Sequence, residues 1–236
     1  HEAPHINTHP AVVRAAAEVF LRWDAREVLV AEGQGHCRDM GWVLDESGLA
    51  PVLDEGGLEF IDLNHDEIFS VPNRLRYTRL RELHLPASLR RADLIVSLPK
   101  LKTHHWAGAT LSMKNLFGVM PGICYGWPKN VLHHQGIAQS ILDINASVAP
   151  HLAIIDGIVG MEGDGPIMGT PRHVGVRLMG IDPALISYLA VASGRLGPIA
   201  EHHIHQRGEA ISPLAQRFAL QAHPSLSPLQ GSWPTS

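Results

Sequence analysis

The sequence predicts an α/β protein: a mostly parallel central sheet with helices on both faces and a mixed strand at one edge. Three observations lead there. A helical stretch near the start is followed by a short buried-strand pattern that runs into a glycine turn, Glu32-Gly-Gln-Gly35. Two later runs, Asp93-Leu-Ile-Val-Ser-Leu98 and Leu152-Ala-Ile-Ile-Asp156, read as buried strands. A helix pattern from Gly136 to Val148 separates those two runs and is ended by Pro150.

Taken in order, Thr8 is placed to cap the first helix, with Pro10 in its first turn. Ala11 to Leu21 then repeats apolar residues at helical spacing. Glu27-Val-Leu-Val-Ala31 is the first strand, Gly41 to Gly48 a short helix, and Leu58 to Leu63 a second strand. Leu80 to Leu85 alternates, which suits an antiparallel edge strand. Val174 to Met179 reads as a strand and Pro183 to Ala192 as a helix. Residues 1–211 are expected to form one α/β domain. Residues 212–236, rich in Pro, Ser and Gln, are expected to be a weakly ordered tail.

Composition narrows the function classes. A length of 236 residues suits one large domain. The formal charge of −4 argues against a dedicated nucleic-acid binder, which would carry a basic face. No run approaches about 18 uninterrupted apolar residues, so no membrane span is expected. Cys37 and Cys124 lie far apart with no C-x-x-C, so no Cys₄ iron–sulfur cluster is expected within the chain. Two free thiols and no signal-peptide pattern fit a reducing, cytoplasmic setting.

Three stretches carry chemistry. Ser97-Leu-Pro-Lys-Leu-Lys-Thr-His-His105 is expected to be a constrained loop leaving the carboxyl end of a buried strand, where α/β sheets bind ligands. Lys100 and Lys102 supply charge, Thr103 a hydrogen bond, and His104 a proton-transfer or metal-binding imidazole. A solvated basic loop is the plain alternative. In Met113-Lys-Asn-Leu-Phe-Gly118, apolar neighbours surround Lys114 and Asn115, which must reach a surface or find partners. Asp156-Gly-Ile-Val-Gly-Met-Glu-Gly-Asp-Gly-Pro166 combines glycines with Asp156, Glu162 and Asp164, oxygen ligands suited to a divalent cation. Its spacing is not that of a phosphate loop, a dinucleotide fingerprint or an EF-hand. His133-His134 precedes a helix N-terminus, where anions collect, and His202-His203-Ile-His205 is a weaker metal candidate.

Together these stretches resemble the domain-of-unknown-function family 362. The resemblance rests on Leu98-Pro-Lys-Leu-Lys-Thr-His104, Met113 to Gly118, His133 or His134, Asp143, Asp156 to Pro166 with Gly169, Gly180-Ile-Asp-Pro183 and Thr8 to Val13. It spans roughly residues 7 to 197. It implies an α/β fold without an assigned general activity. Many members are described as iron–sulfur proteins through an attached ferredoxin-like segment, which this chain does not show. The family's usual opening strand, ending in Lys-Pro-Asn, lies upstream of the His9-Pro10 helix, so that strand is expected to be missing here. Ile186-Ser187 stands where the family tends to carry an Asp.

Two functional readings follow. In the first, an enzyme holds a small anionic ligand with Lys100, Lys102, Thr103, Lys114 and Asn115. His104 with His133 or His134 acts as acid and base, and Asp156, Glu162 and Asp164 hold a divalent cation. In the second, a non-catalytic accessory works with a separate ferredoxin-like partner. Neither reading calls for nucleic acid or a membrane.

Overall fold

The computed structural model describes residues 4–174 and the short strands Leu178–Gly180 and Ala215–Arg217. Along the chain these are α1 (Pro10–Arg22), β1 (Leu29–Glu32), α2 (Met40–Ser47), α3 (Ala50–Gly56), β2 (Glu59–Asp62), β3 (Ile68–Pro72) and β4 (Glu82–Pro86). Next come β5 (Val96–Ser97), β6 (Lys100–His104), β7 (Gly108–Thr110), α4 (Ser112–Asn115), α5 (Gly122–Tyr125), α6 (Asn130–His134) and α7 (Ile137–Val148). Strands β8 (Leu152–Ala153), β9 (Asp156–Glu162), β10 (Thr170–Arg172), β11 (Leu178–Gly180) and β12 (Ala215–Arg217) complete the order.

The α/β class holds, with both parallel and mixed pairing. β1 pairs with β2 and β5 with β8, both in parallel. β3 and β4 form an antiparallel hairpin, so the strand expected from the alternation of Leu80 to Leu85 is antiparallel, paired with a strand the sequence did not announce. The largest sheet among the described residues is mixed, in the order β10-β9-β6-β7, with β6 parallel to β9. The two clearest strand patterns do run side by side. The His151 and Ile154 N–H groups donate to the Ile95 and Ser97 carbonyls, and the Asp156 N–H donates to the Pro99 carbonyl. Pro99, which has no N–H, separates β5 from β6 in this otherwise continuous parallel run.

Three expectations are corrected. Lys100 to His104 is not a loop: it is strand β6, at the centre of the four-stranded sheet. Asp156 to Glu162 is likewise strand β9, despite its glycines, with an irregular register between Lys100 and Lys102. Such bulges redirect side chains and often flank sites. Thr8 does not cap α1. His9 does, its Nδ1 accepting the Ala11 N–H at 3.1 Å, while the Thr8 hydroxyl donates to the Leu98 carbonyl at 2.7 Å. The Pro183–Ala192 helix, Ile186-Ser187 and the His202–His205 cluster lie outside the described residues. So does the expected tail, apart from β12, which pairs in parallel with β11.

The core sits between the β3–β4 hairpin, β7, the turn after α4, and α7. Leu83, Ala109, Phe117, Met120, Ile141 and Ile144 are buried together there. Helix α7 also carries a buried carboxylate. Asp143 accepts from the Asn73 side-chain amide at 2.7 Å, the Thr78 hydroxyl at 2.7 Å, and the Tyr77 and Thr78 N–H groups at 3.0 and 2.8 Å. This carboxylate fixes the hairpin loop between β3 and β4 onto the core. Asp143→Asn puts an amide where only acceptors fit. It is expected to cost roughly 2 kcal/mol in urea unfolding, the scale of hydrogen bonds to a charged group.

Candidate functional site

Strand alternation places Lys100, Lys102 and His104 on one face of β6, with Leu101 and Thr103 on the other. The two lysines meet different fates. Lys100 Nζ donates to Asp156 Oδ2 at 2.5 Å, with side chains only 2% and 0% exposed. Asp156 Oδ2 also accepts the His9 N–H at 2.6 Å, and its Oδ1 accepts the Ile158 N–H at 2.9 Å. This pair therefore fastens the start of α1 to β6 and β9.

Lys102, Lys114 and Lys129 have no such partner. Among the described residues, none of the three lies within salt-bridge distance of a carboxylate. Lys102 Nζ donates to the Ile6 carbonyl at 2.8 Å, and Lys129 Nζ donates to Asn64 Oδ1. Lys114 Nζ stands 4.3 Å from the centre of the Phe117 ring. Burial pushes all three ammonium groups down to about 8. At Lys102, Glu32 opposes that shift and Lys100 adds to it; at Lys114, Lys102 adds to it. Asp62 and Glu32 pull Lys129 the other way.

Glu32 and Asp62 end the parallel strands β1 and β2 and face each other in register. Glu32 keeps contact with solvent, yet protein surrounds it closely enough that burial raises its carboxyl above the ordinary range. The two facts agree if Glu32 lines a recess rather than the outer surface.

The local backbone is shaped to hold this arrangement. Lys129 adopts a left-handed conformation, φ 68°, which is uncommon for a residue with a side chain and often found at functional sites. Buried Asn64 locks the neighbourhood: its Oδ1 also accepts the Gly122 N–H at 2.9 Å, and its Nδ2 donates to the Gln34 carbonyl at 3.2 Å. A Cβ on Gly33 would run into the Gly118 carbonyl oxygen. That close approach is how the turn after β1 meets the end of the Met113–Gly118 motif.

The imidazoles divide by hydrogen bonding. His104 Nδ1 accepts the Trp106 and Ala107 N–H groups at 3.1 and 3.2 Å, which places its proton on Nε2. Burial, then Lys114, His105, Lys102 and His133, lower its basicity to about 2. His104 is therefore a neutral donor through Nε2–H and not a proton acceptor. His105 Nδ1 lies 2.7 Å from the Gly165 carbonyl, which also accepts the His105 backbone N–H at 2.9 Å. Gly165 packs so closely on Thr103 that a Cβ would collide with the Thr103 carbonyl. His133 Nδ1 contacts the Lys129 carbonyl at 3.0 Å, and its ring packs edge-on to Phe117 and Trp106. Burial lowers the His133 pKa.

The three sequence motifs thus meet around β6. Lys102, Lys114, His104 and His133 share one cluster; the other expected site residues do different work. Thr103 is buried and donates to the Gly163 carbonyl at 3.0 Å, and Asn115 Nδ2 donates to Ser97 Oγ at 3.1 Å. His134 is exposed. Asp156 is held by Lys100, Glu162 pairs with Arg172 at 2.8 Å, and Asp164 is exposed. Among the described residues, no three His, Cys, Asp or Glu side chains converge as a metal-ligand set. The expected carboxylate trio is not assembled because β9 is extended: its two ends, Asp156 and Glu162, stand up to roughly 20 Å apart at strand rise.

Sequence reasoning missed Lys129, Glu32, Asp62, Asn64 and His105. One signal was present: the 19 Lys and Arg residues include only four lysines, and all four belong to this region. A cleft of about 530 Å³ beside β2 is separate from the cluster, sharing only Asp62. Its Glu59, Asp62, Asp66 and Glu67 make it a poor receiver of anions. No described helix is long and apolar enough to cross a membrane.

The family follows from a match over residues 1–192 to the domain described as Domain of unknown function (DUF362). The chain belongs to this family. The match takes in every residue of the DUF362 chain's lysine and histidine cluster. The chain is also similar to Thylakoid-associated protein sll1697 of Synechocystis sp. (strain ATCC 27184 / PCC 6803 / Kazusa), with 27% identity over 208 residues. That similarity covers 80% of this DUF362 chain and 62% of the relative, so the chain spans less than two thirds of the relative's length. No solved structure matches.

Proposed function

We propose that the protein binds a small anionic molecule, a phosphate or carboxylate compound, in the cluster of Lys102, Lys114, Lys129 and His104. The observation that carries this reading is the set of three lysines that have no carboxylate in salt-bridge range among the described residues. Lys129 is buried and Lys102 and Lys114 are half-buried, and Glu32 and Asp62 offset Lys102 and Lys129 only from beyond salt-bridge distance, so a fold that gathers these three cations is preset for negative charge from elsewhere. His104 adds a fixed, uncharged hydrogen-bond donor. The lysines provide charge, the imidazole provides direction, and Glu32 and Asp62 bound the side where a donor group of the ligand would sit. Two exposed free thiols, Cys37 and Cys124, suit a reducing cytoplasmic compartment.

Binding has a definite pH dependence. The anion requires protonated lysines, and their free-state values lie near 8. Affinity for oxalate, which is doubly charged throughout this range, is therefore expected to vary little from pH 6 to 7. It then falls about tenfold per pH unit above 8 for each proton the complex requires. Calorimetric titration at matched ionic strength, with sodium chloride as control, measures this. Absence of saturable binding at pH 7 by phosphate, pyrophosphate and di- and tricarboxylates would sink the reading.

A further inference from the structure

The four lysines of this chain are all at the cluster or tied to it, and every other Lys or Arg position is arginine. The surface ion pairs use arginine: Arg14, Arg22 and Arg91. Arginine is always charged and binds carboxylates and phosphates at least as well as lysine. A site that needed charge alone could be filled as the surface is. Lysine adds an amine that can lose its proton and attack carbon.

The four amines are not equivalent. Lys100 is held by Asp156, Lys102 by the Ile6 carbonyl and Lys129 by Asn64. Lys114 makes no hydrogen bond to a described residue; its Nζ stands 4.3 Å from the centre of the Phe117 ring, a cation–π attraction weaker than a charged hydrogen bond. A half-buried ammonium without a hydrogen-bond acceptor is costly, and Lys102 adds repulsion. Both effects favour the neutral amine. At a value near 8, about a tenth of Lys114 is unprotonated at pH 7. Beside it stands His104, with its proton on Nε2.

We propose that Lys114 is a nucleophilic amine that forms an imine with the carbonyl carbon of a small oxo acid, whose carboxylate Lys102 and Lys129 hold. This rests on the anion-binding reading and assigns its ligand a chemical class. In the step, the Lys114 nitrogen lone pair attacks the carbonyl carbon, and the C=O π pair moves to oxygen. That oxygen is hydrogen-bonded by His104 Nε2–H and is protonated as the amine gives up a proton. The carbinolamine nitrogen then forms C=N with its lone pair and gives up its second proton, and the hydroxyl takes up a proton and leaves as water. Amine plus carbonyl gives imine plus water, with no oxidant or reductant required.

The test uses the full chain, pyruvate as the simplest oxo acid, and sodium cyanoborohydride to reduce any imine. Peptide mass spectrometry then reads occupancy at Lys100, Lys102, Lys114 and Lys129. The expected result is label on Lys114 at least tenfold above the other three lysines. Lys114→Arg keeps the charge and is expected to remove that label. Arg14→Lys, exposed on α1, adds a surface lysine that is expected to stay unlabelled and leaves the label on Lys114. Absent or evenly spread label in the unaltered protein overturns the proposal, whether or not either variant folds. A thermal-shift titration with pyrophosphate runs alongside. If pyrophosphate stabilises the protein while Lys114 stays unlabelled, anion binding stands and imine formation falls; if neither occurs, both fall.

Discussion

Lys100→Met is expected to lower the unfolding free energy by about 3–5 kcal/mol, measured by urea denaturation at pH 7. The reason is what it leaves behind. Asp156 stays fully buried, its Oδ2 stripped of the ammonium 2.5 Å away and satisfied only by the His9 N–H. Removing one member of a buried pair costs more than the pair itself contributes, because a lone charge remains in a poor solvent. The second change that relieves this is Asp156→Asn. It removes the charge, and its side-chain oxygen still serves as acceptor for the backbone N–H groups of His9 or Ile158. Lys100→Met with Asp156→Asn is therefore expected to be more stable than Lys100→Met alone. If Lys100→Met instead keeps its stability and loses anion binding, Lys100 belongs to the ligand and not to the scaffold.

Two positions along the same strand, the expected outcome inverts. Lys102→Met should weaken pyrophosphate binding at pH 7 by about 100-fold or more, roughly 2.7 kcal/mol, while unfolding free energy changes by about 1 kcal/mol or less. The lost bond to the Ile6 carbonyl is offset by relief of a buried charge that repels Lys114. The pH profile gives an independent check. Lysine is depressed to about 8 in the folded state against an ordinary 10.5, so between those values the unfolded chain binds more protons. Stability therefore rises with pH across that window, and the charged lysine is unfavourable below it. The variant loses one of the groups responsible, so its rise from pH 8 to 10.5 should be shallower. An unchanged pH slope together with unchanged binding would remove Lys102 from the site.

The sequence was clearest where apolar pattern and burial agree. Helices α1 and α7, an edge strand near Leu80 to Leu85, and strands near residues 93–98 and 152–156 follow from spacing alone. It failed at β6 and β9 for a single reason. A buried strand is recognised by continuous apolar residues, and these two carry Lys, Thr, His, Asp and Glu. Their polar side chains are tolerated inside because each meets a partner on another segment: Asp156 for Lys100, Ile6 for Lys102, Gly163 for Thr103. Those partners lie 56 to 96 residues away in the chain, where no local pattern can announce them. The cap of α1 failed on a smaller scale of the same kind, Thr8 being drawn to the Leu98 carbonyl 90 residues on.

By itself, then, the sequence determined that three motifs belong to one α/β chain and that the candidate groups lie among Lys100, Lys102, Thr103, His104, Lys114, Asn115, His133, His134, Asp156, Glu162 and Asp164. Motif spacing and residue chemistry carry that much. Only the tertiary structure decided which lysine is scaffold and which is free. Lys100 and Lys102 are identical side chains two residues apart, and what separates them is whether a carboxylate from β9 reaches the amine. The same holds for Lys129, brought in by a left-handed turn onto Asn64, and for His104, whose basicity is removed by burial and whose Nδ1 is occupied by two backbone N–H groups. Charge and proton affinity are set by neighbours in space, and a linear chain fixes those neighbours only once it has folded.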